Sequence, residues 1–251
     1  MTEFSDILRD RRTIRKYTSE LVDDKLLNEL LALGIRASTT GNMQLYSIII
    51  NRAEEKKKEL APFHFSQKMI TEAPVVLTFC ADFNRFDKWC KLRNAVPGYD
   101  NFLSFVTAAI DTLLIAQTFC VAAEAKGLGI CYLGTTTYNA HKIIEALKLP
   151  KGVVPVTTVT LGWPAEKPAQ VDRLPLEAVI HNEIYSDYTS ESIDRFYKVK
   201  EERSDSQQFV IENNKESLAQ VFTDVRYKKA DNVHFSNVLL KVLKDQGFME
   251  Q

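Results

Sequence analysis

SFVTAAIDTLLIAQTFCVAAEAKGLGICYLG, Ser104–Gly134, joins a long apolar run to a short one across a Gly-Leu-Gly break. Phe105 to Ala123 is the only stretch apolar and long enough to suggest a membrane span, but Asp111 and Gln117 interrupt it and Gly127 stops it. It reads as a core helix over Ser104–Lys126, followed by a strand over Ile130–Gly134.

Outward from this hinge, Leu45–Ile50 and Val75–Ala81 are short apolar runs rich in β-branched residues, as expected of neighbouring strands in a central sheet. A helix over Ala140–Leu147 and a strand over Val156–Leu161 follow. At the other end, Glu3–Asp10 reads as a short helix. Asp23 caps a second, with leucines at 26, 27, 30 and 31, which ends in the polar loop Ser38–Asn42. The order is α+β. Neither GxGxxG nor GxxxxGK[ST] occurs, so a Rossmann dinucleotide site and a P-loop are unsupported.

After Trp163, prolines 164, 168 and 175 punctuate a loop that carries Arg173. Beyond Tyr188 the chain turns polar, and Glu201–Ser217 reads as a mobile segment. Two amphipathic helical patterns follow: Leu218, Val221, Phe222 and Val225, then Phe235, Val238, Leu239, Val242 and Leu243. Such a tail cannot form a core alone and is expected to dock on its own domain or on a second subunit.

With 32 Lys and Arg against 33 Asp and Glu, the formal charge is -1, which disfavours a nucleic-acid binder. No secretory signal or mitochondrial presequence is legible, which makes the cytoplasm the default expectation and a membrane partner unexpected. Cys80, Cys90, Cys120 and Cys131 lie far apart, with no CxxC pair and no histidine at ligand spacing. They read as reduced packing residues, with no metal site. His64, His141, His181 and His234 do not cluster and are assigned to packing.

Against this near-neutral background, RRTIRKY (Arg11–Tyr17) places four cations in six residues after the first short helix. Arginine offers a planar fork that matches phosphate oxygens in pairs, and Thr13 adds a hydroxyl. Taken alone, the run reads either as an anion site or as charges complementing a helix end.

RRTIRKY, the AST-T-GNMQ loop, Ser66–Lys68 (SQK), Cys80–Arg85 (CADFNR), Glu124–Gly134 (EAKGLGICYLG), Leu161–Pro168 (LGWPAEKP) and Arg173–Pro175 (RLP) occur in order. Together they resemble the FMN-dependent nitroreductase superfamily, most closely its oxygen-insensitive NADPH nitroreductases and NADPH:flavin oxidoreductases. The resemblance implies a three-layer α-β-α fold, with a mostly antiparallel sheet around a long buried helix and a helical C-terminal extension. It places an FMN-binding core in residues 1–190 and the extension in 191–251.

It further implies a homodimer with FMN between subunits and NADPH or NADH as hydride donor. Nitroaromatics, quinones or flavins would be small-molecule acceptors in a ping-pong reaction, with chemistry on the flavin and no protein catalytic group. Arg11, Arg12, Thr13 and Arg15 would form the first flavin segment, Arg11 and Thr13 toward the phosphate and Arg15 toward the pyrimidine edge. Arg173 would close on the phosphate, Gln67 would bond the ring, and Tyr132, Leu133 and Gly134 would run beneath it. Ser38, Thr39, Thr40 and Gln44 would come from the neighbouring subunit. A same-fold flavoprotein with another role (dehalogenation, flavin destruction or storage) and a non-flavin helical interaction protein are the alternatives.

Two departures matter. Val171 stands where the subgroup has a phosphate-binding lysine, and IENNKESLAQ stands where it has a pair of arginines for the NADPH 2′-phosphate, leaving Lys215 and, further off, Arg226.

Overall fold

Alternation along one strand sets the layers. In β2 (Val75–Asp82), Val75, Leu77 and Phe79 face one core and Val76 faces another, and every residue of the strand is buried. The computed structural model describes residues 4–250; Glu3, which the sequence reading places in the first helix, lies outside them.

The helices and strands before and after β2 are α1 (Phe4–Asp10), α2 (Asp24–Gly34), β1 (Tyr46–Asn51), α3 (Glu54–Leu60), α4 (Met69–Glu72), α5 (Asn84–Leu92), α6 (Phe102–Ala125), β3 (Gly129–Leu133), α7 (Ala140–Ala146) and β4 (Val153–Gly162). The strands form one antiparallel sheet in the order β1-β2-β4-β3. On one face α2 and α6 bring Leu27, Leu30, Ile115 and Phe119 against it. On the other, Leu60, Met69 and Ile70 from α3 and α4 pack on Val76, Cys131 and Leu133. The result is an α-β-α sandwich.

Local chemistry explains the boundaries. Asp23 caps α2 by accepting from Leu26 N–H at 2.9 Å, and Asn101 caps α6 through Ser104 N–H at 3.0 Å. α6 ends where Gly127 takes a φ of 82°, while Leu128 N–H returns to Ala123 O at 3.0 Å. Strand β4 begins at Val153, earlier than the apolar run from Val156 suggested. Pro155, which has no N–H, is accommodated at a register shift between Phe79 and Cys80. The four cysteines are buried free thiols; burial pushes the Cys120 thiol up to about 12.

Helix α6 is long and apolar enough to cross a membrane by length and composition, but one stripe of it, including Ile115, Ala116 and Phe119, is packed in the core. Ile110, Leu113 and Leu114 lie exposed on another side.

The described chain divides into two compact units. One runs to Ala169 and takes in the stretch from Phe235; the other is Gln170–His234. The sequence reading instead drew its boundary at residue 190. In the first unit, Val242, Leu243 and Phe248 pack with Leu45, Ala81 and Phe83, so this part of the tail docks on its own core.

The second unit contains α8 (Ser190–Glu202), α9 (Ser204–Glu212), α10 (Leu218–Gln220) and a π-helical turn (Val221–Arg226), and the chain continues into α11 (Lys229–Gln246). Much of Glu201–Ser217, read from its polarity as mobile, is therefore helical. Asp205 in the first turn of α9 pairs with Arg203 at 2.8 Å, and Arg226 lies 4.4 Å over the Phe209 ring, giving this polar helix local partners.

Candidate functional site

The basic segment is fixed by its neighbour in the sheet. Strand β3 is an edge strand, and residues 14–18 run along that edge and the end of β4. Ile14 N–H donates to Ile130 O at 3.0 Å, Thr18 N–H to Trp163 O at 2.9 Å, and Tyr17 bridges to Pro164. The Tyr17 hydroxyl bonds Ile14 O at 2.8 Å and Thr160 Oγ1 at 2.7 Å. With Ile14 buried, Thr13 is half-buried and Arg15 exposed on either side of it. Burial pushes the Cys131 thiol pKa up, and the positive charge of Arg15 opposes it. Ile14 and Arg15 are thus brought to the Ile130–Cys131 part of the strand that continues into Tyr132–Gly134.

Gln67 joins them through a second tie. The turn after α3 places Phe65 and Ser66 at positive φ, and His64 beneath them is fully buried. His64 Nδ1 and Thr135 Oγ1 lie 2.9 Å apart, and Asn139 Nδ2 donates to Phe63 O at 2.8 Å. These bonds join the Gln67 turn to the loop that follows Gly134. Gly134 is exposed, with open space where a side chain would project. The Tyr132 ring turns away to α6, where its hydroxyl donates to Gln117 Oε1 at 3.4 Å and burial raises its pKa, so only its backbone is available to line this loop.

Arg11 is held by Glu124 of α6, Nε to Oε2 at 3.3 Å. Burial raises the Glu124 pKa, with Arg11 opposing. The open groove of about 780 Å³ beside Arg11 and Arg12 is also lined by Asp6, Asp10, Glu124, Glu166 and Lys167. Arg12 Nε is buried without a hydrogen-bond partner among the described residues.

The loop with Ser38, Thr39, Thr40 and Gln44 is organised elsewhere on α6. Asp111, 1% exposed, accepts from Thr40 N–H at 2.9 Å, Thr40 Oγ1 at 3.2 Å and Leu45 N–H at 3.4 Å. Arg85 donates to the carbonyls of Gln44 and Tyr46, while Asn42 and Gln44 both sit at positive φ. Arg173 belongs to the second unit, exposed in its loop; neighbouring Asp172 is held by Lys200 at 3.2 Å.

Sequence reasoning missed the supports: Glu124, Asp111, Arg85 and the His64–Thr135 contact. The signal for two of them was present, because Asp111 and Glu124 are the only charged residues in the 24-residue apolar α6. Buried carboxylates require partners.

Residues 8–163 match the model of the nitroreductase family. The chain belongs to the nitroreductase family. It is similar to an FMN reductase [NAD(P)H] of Bacillus subtilis, 34% identical over 74% of this chain and 75% of that one. It also resembles an oxygen-insensitive NADPH nitroreductase of Salmonella typhimurium, 33% identical over 78% and 80% respectively. A crystal structure of a Bacteroides fragilis protein superposes with a TM-score of 0.97 at 61% identity, covering 98% of this nitroreductase-family chain and all of that one.

Proposed function

We propose that this nitroreductase-family protein is an FMN-dependent oxidoreductase that takes hydride from NAD(P)H and delivers it to nitroaromatics, quinones or flavins. The observation that carries this reading is the pinning of RRTIRKY on the edge of β3, through Ile14 N–H to Ile130 O, on the strand whose far end opens at Gly134. The residues suit a flavin phosphate and ring: clustered guanidinium groups, a buried Arg12 Nε lacking a partner among the described residues, and a glycine that leaves room above the strand end. The Bacillus relative is named for FMN and NAD(P)H and the Salmonella relative for NADPH and nitro reduction, which supports the same reading.

Bound FMN would supply the two-electron chemistry at its N5. Arg11, Thr13 and Arg173 would hold the phosphate, and Arg12 would complete the segment. Arg15 would place positive charge at the pyrimidine edge, which favours electron-rich flavin. Gln67 would bond the ring, and the backbone of Tyr132, Leu133 and Gly134 would support it. Ser38, Thr39, Thr40 and Gln44 reach the site from the second copy of a homodimer. The exposed Ile110, Leu113 and Leu114 of α6 supply an apolar surface for that pairing. The nicotinamide leaves before the acceptor binds at the same face, giving ping-pong kinetics.

The deciding test is the visible spectrum of the FMN-reconstituted protein, titrated with NADH and NADPH under argon. Bleaching of the flavin band by a nicotinamide is expected; bound flavin that stays oxidised would reject turnover. Both cations that the sequence offers in place of the arginine pair for the 2′-phosphate of NADPH already have partners. Lys215 is paired with Asp224 at 2.9 Å, and Arg226 lies over Phe209 and Phe222. The NADPH-to-NADH ratio of kcat/KM is therefore expected below about 100, equivalent to about 2.7 kcal/mol.

Arg11→Ala and Arg173→Ala are each expected to weaken FMN binding by about 1–3 kcal/mol, the range for a lost charge-assisted hydrogen bond. Fluorescence titration measures it, and unchanged affinity in both variants would remove these residues from the site.

A further inference from the structure

Helix α6 carries only two charged residues, and each holds a different part of the candidate site. Glu124 grips Arg11, whereas Asp111 gathers Thr40 and Leu45 with both carboxylate oxygens. At 1.5 Å rise and 3.6 residues per turn, the two carboxylates lie about 20 Å apart along the axis and point to nearly opposite sides of the helix. One rigid element thus directs the Thr40 loop away from the Arg11 of its own protomer.

We propose that Asp111 is a positioning residue that shapes the Thr40–Leu45 loop for the flavin site of the partner copy, while Glu124 positions Arg11 for the site of its own copy. In a two-fold dimer each surface is presented twice, so each site receives an Asp111-ordered loop from one copy and a Glu124-ordered arginine from the other. Asp111 satisfies two backbone N–H groups of a loop that includes two non-glycine residues at positive φ, a conformation that needs outside support. Asp111→Asn removes one of the two acceptor oxygens with little change in volume.

This inference rests on the flavin site proposed above. If the wild-type dimer holds no FMN, that reading fails; if it holds FMN and D111N binds equally well, only the role of Asp111 fails. D111N and E124Q homodimers are each expected to lose roughly tenfold or more in FMN affinity, as for a lost hydrogen bond to a charged group. In the flavin-free protein, D111N should speed amide exchange at Thr40 and Leu45, a change E124Q should not produce.

The decisive sample is the D111N/E124Q heterodimer, isolated by two affinity tags after co-expression. Action across the dimer leaves one site fully native, so one FMN per dimer binds with wild-type affinity and the other weakly. Two weakened sites and no native one would overturn the proposal. Should D111N not fold, D111S, which keeps an acceptor oxygen in less volume, goes through the same pairing. Failure of both to fold would assign Asp111 to stability and also overturn the proposal.

Discussion

Acidification from pH 6.5 to 4 is expected to remove about 3 kcal/mol of stability through His64 alone. Burial pushes its pKa down to about 4 from 6.5. The ring is fully buried, and Nε2 has no hydrogen-bond partner among the described residues, so a charged imidazolium has nothing to compensate its lost hydration. The sign follows from proton counting. Between pH 6.5 and 4 the unfolded chain binds a proton that the folded chain does not, so stability is fully present above 6.5 and falls as pH drops toward 4. Carboxylates also titrate in this range, so the informative quantity is a difference. His64→Gln is expected to be less stable than the wild type at pH 7, and the gap should narrow by about 2 kcal/mol at pH 5 in urea unfolding. A gap independent of pH would show that His64 is not the group that titrates.

Gly129→Ala is expected to destabilise the protein by about 1–3 kcal/mol, the usual range for overpacking, and to loosen flavin binding with it. A β-carbon at Gly129 would stand 2.7 Å from both Cβ and Cγ1 of Ile14. Those atoms belong to a stiff β-branched side chain that cannot swing aside. Relief must come from moving Ile14, and its N–H is the donor that ties the arginine segment to β3. Gly98→Ala is the control, since nothing lies within 4 Å of a β-carbon there. For a chain of this size each kcal/mol corresponds to roughly 2–4 °C in Tm. Equal Tm and flavin affinity for the two alanine variants would show that the glycine does not fix the segment.

These expectations rest on contacts of unequal legibility. The sheet strands, the capped α2 and the stop of α6 were readable because apolar runs, Asp23 and Gly127 act over a few residues. α3, α5 and α8 went unread, since charged stretches such as EEKKKEL (Glu54–Leu60) become helical through packing of isolated apolar residues like Leu60. At the candidate site, the arginines and the Gln67 turn were visible as residue types in a known order. Their supports were not, because His64–Thr135 and Arg11–Glu124 join positions 71 and 113 residues apart. Sequence spacing carries no record of such partnerships, although the lone acids of α6 announced that partners were required.

The docking of Val242, Leu243 and Phe248 beside Leu45, Ala81 and Phe83 has a consequence for biosynthesis. A nascent chain presents the early members of that cluster long before the late ones exist, and the whole Gln170–His234 unit is translated in between. At roughly 5–20 residues per second, the interval from Phe83 to Phe248 is on the order of ten seconds or more. For the later part of that time, once β4 has completed the sheet, an aromatic patch on the sandwich lies open to chaperones and to other nascent chains, and the core closes only after the C-terminal helix emerges from the ribosome.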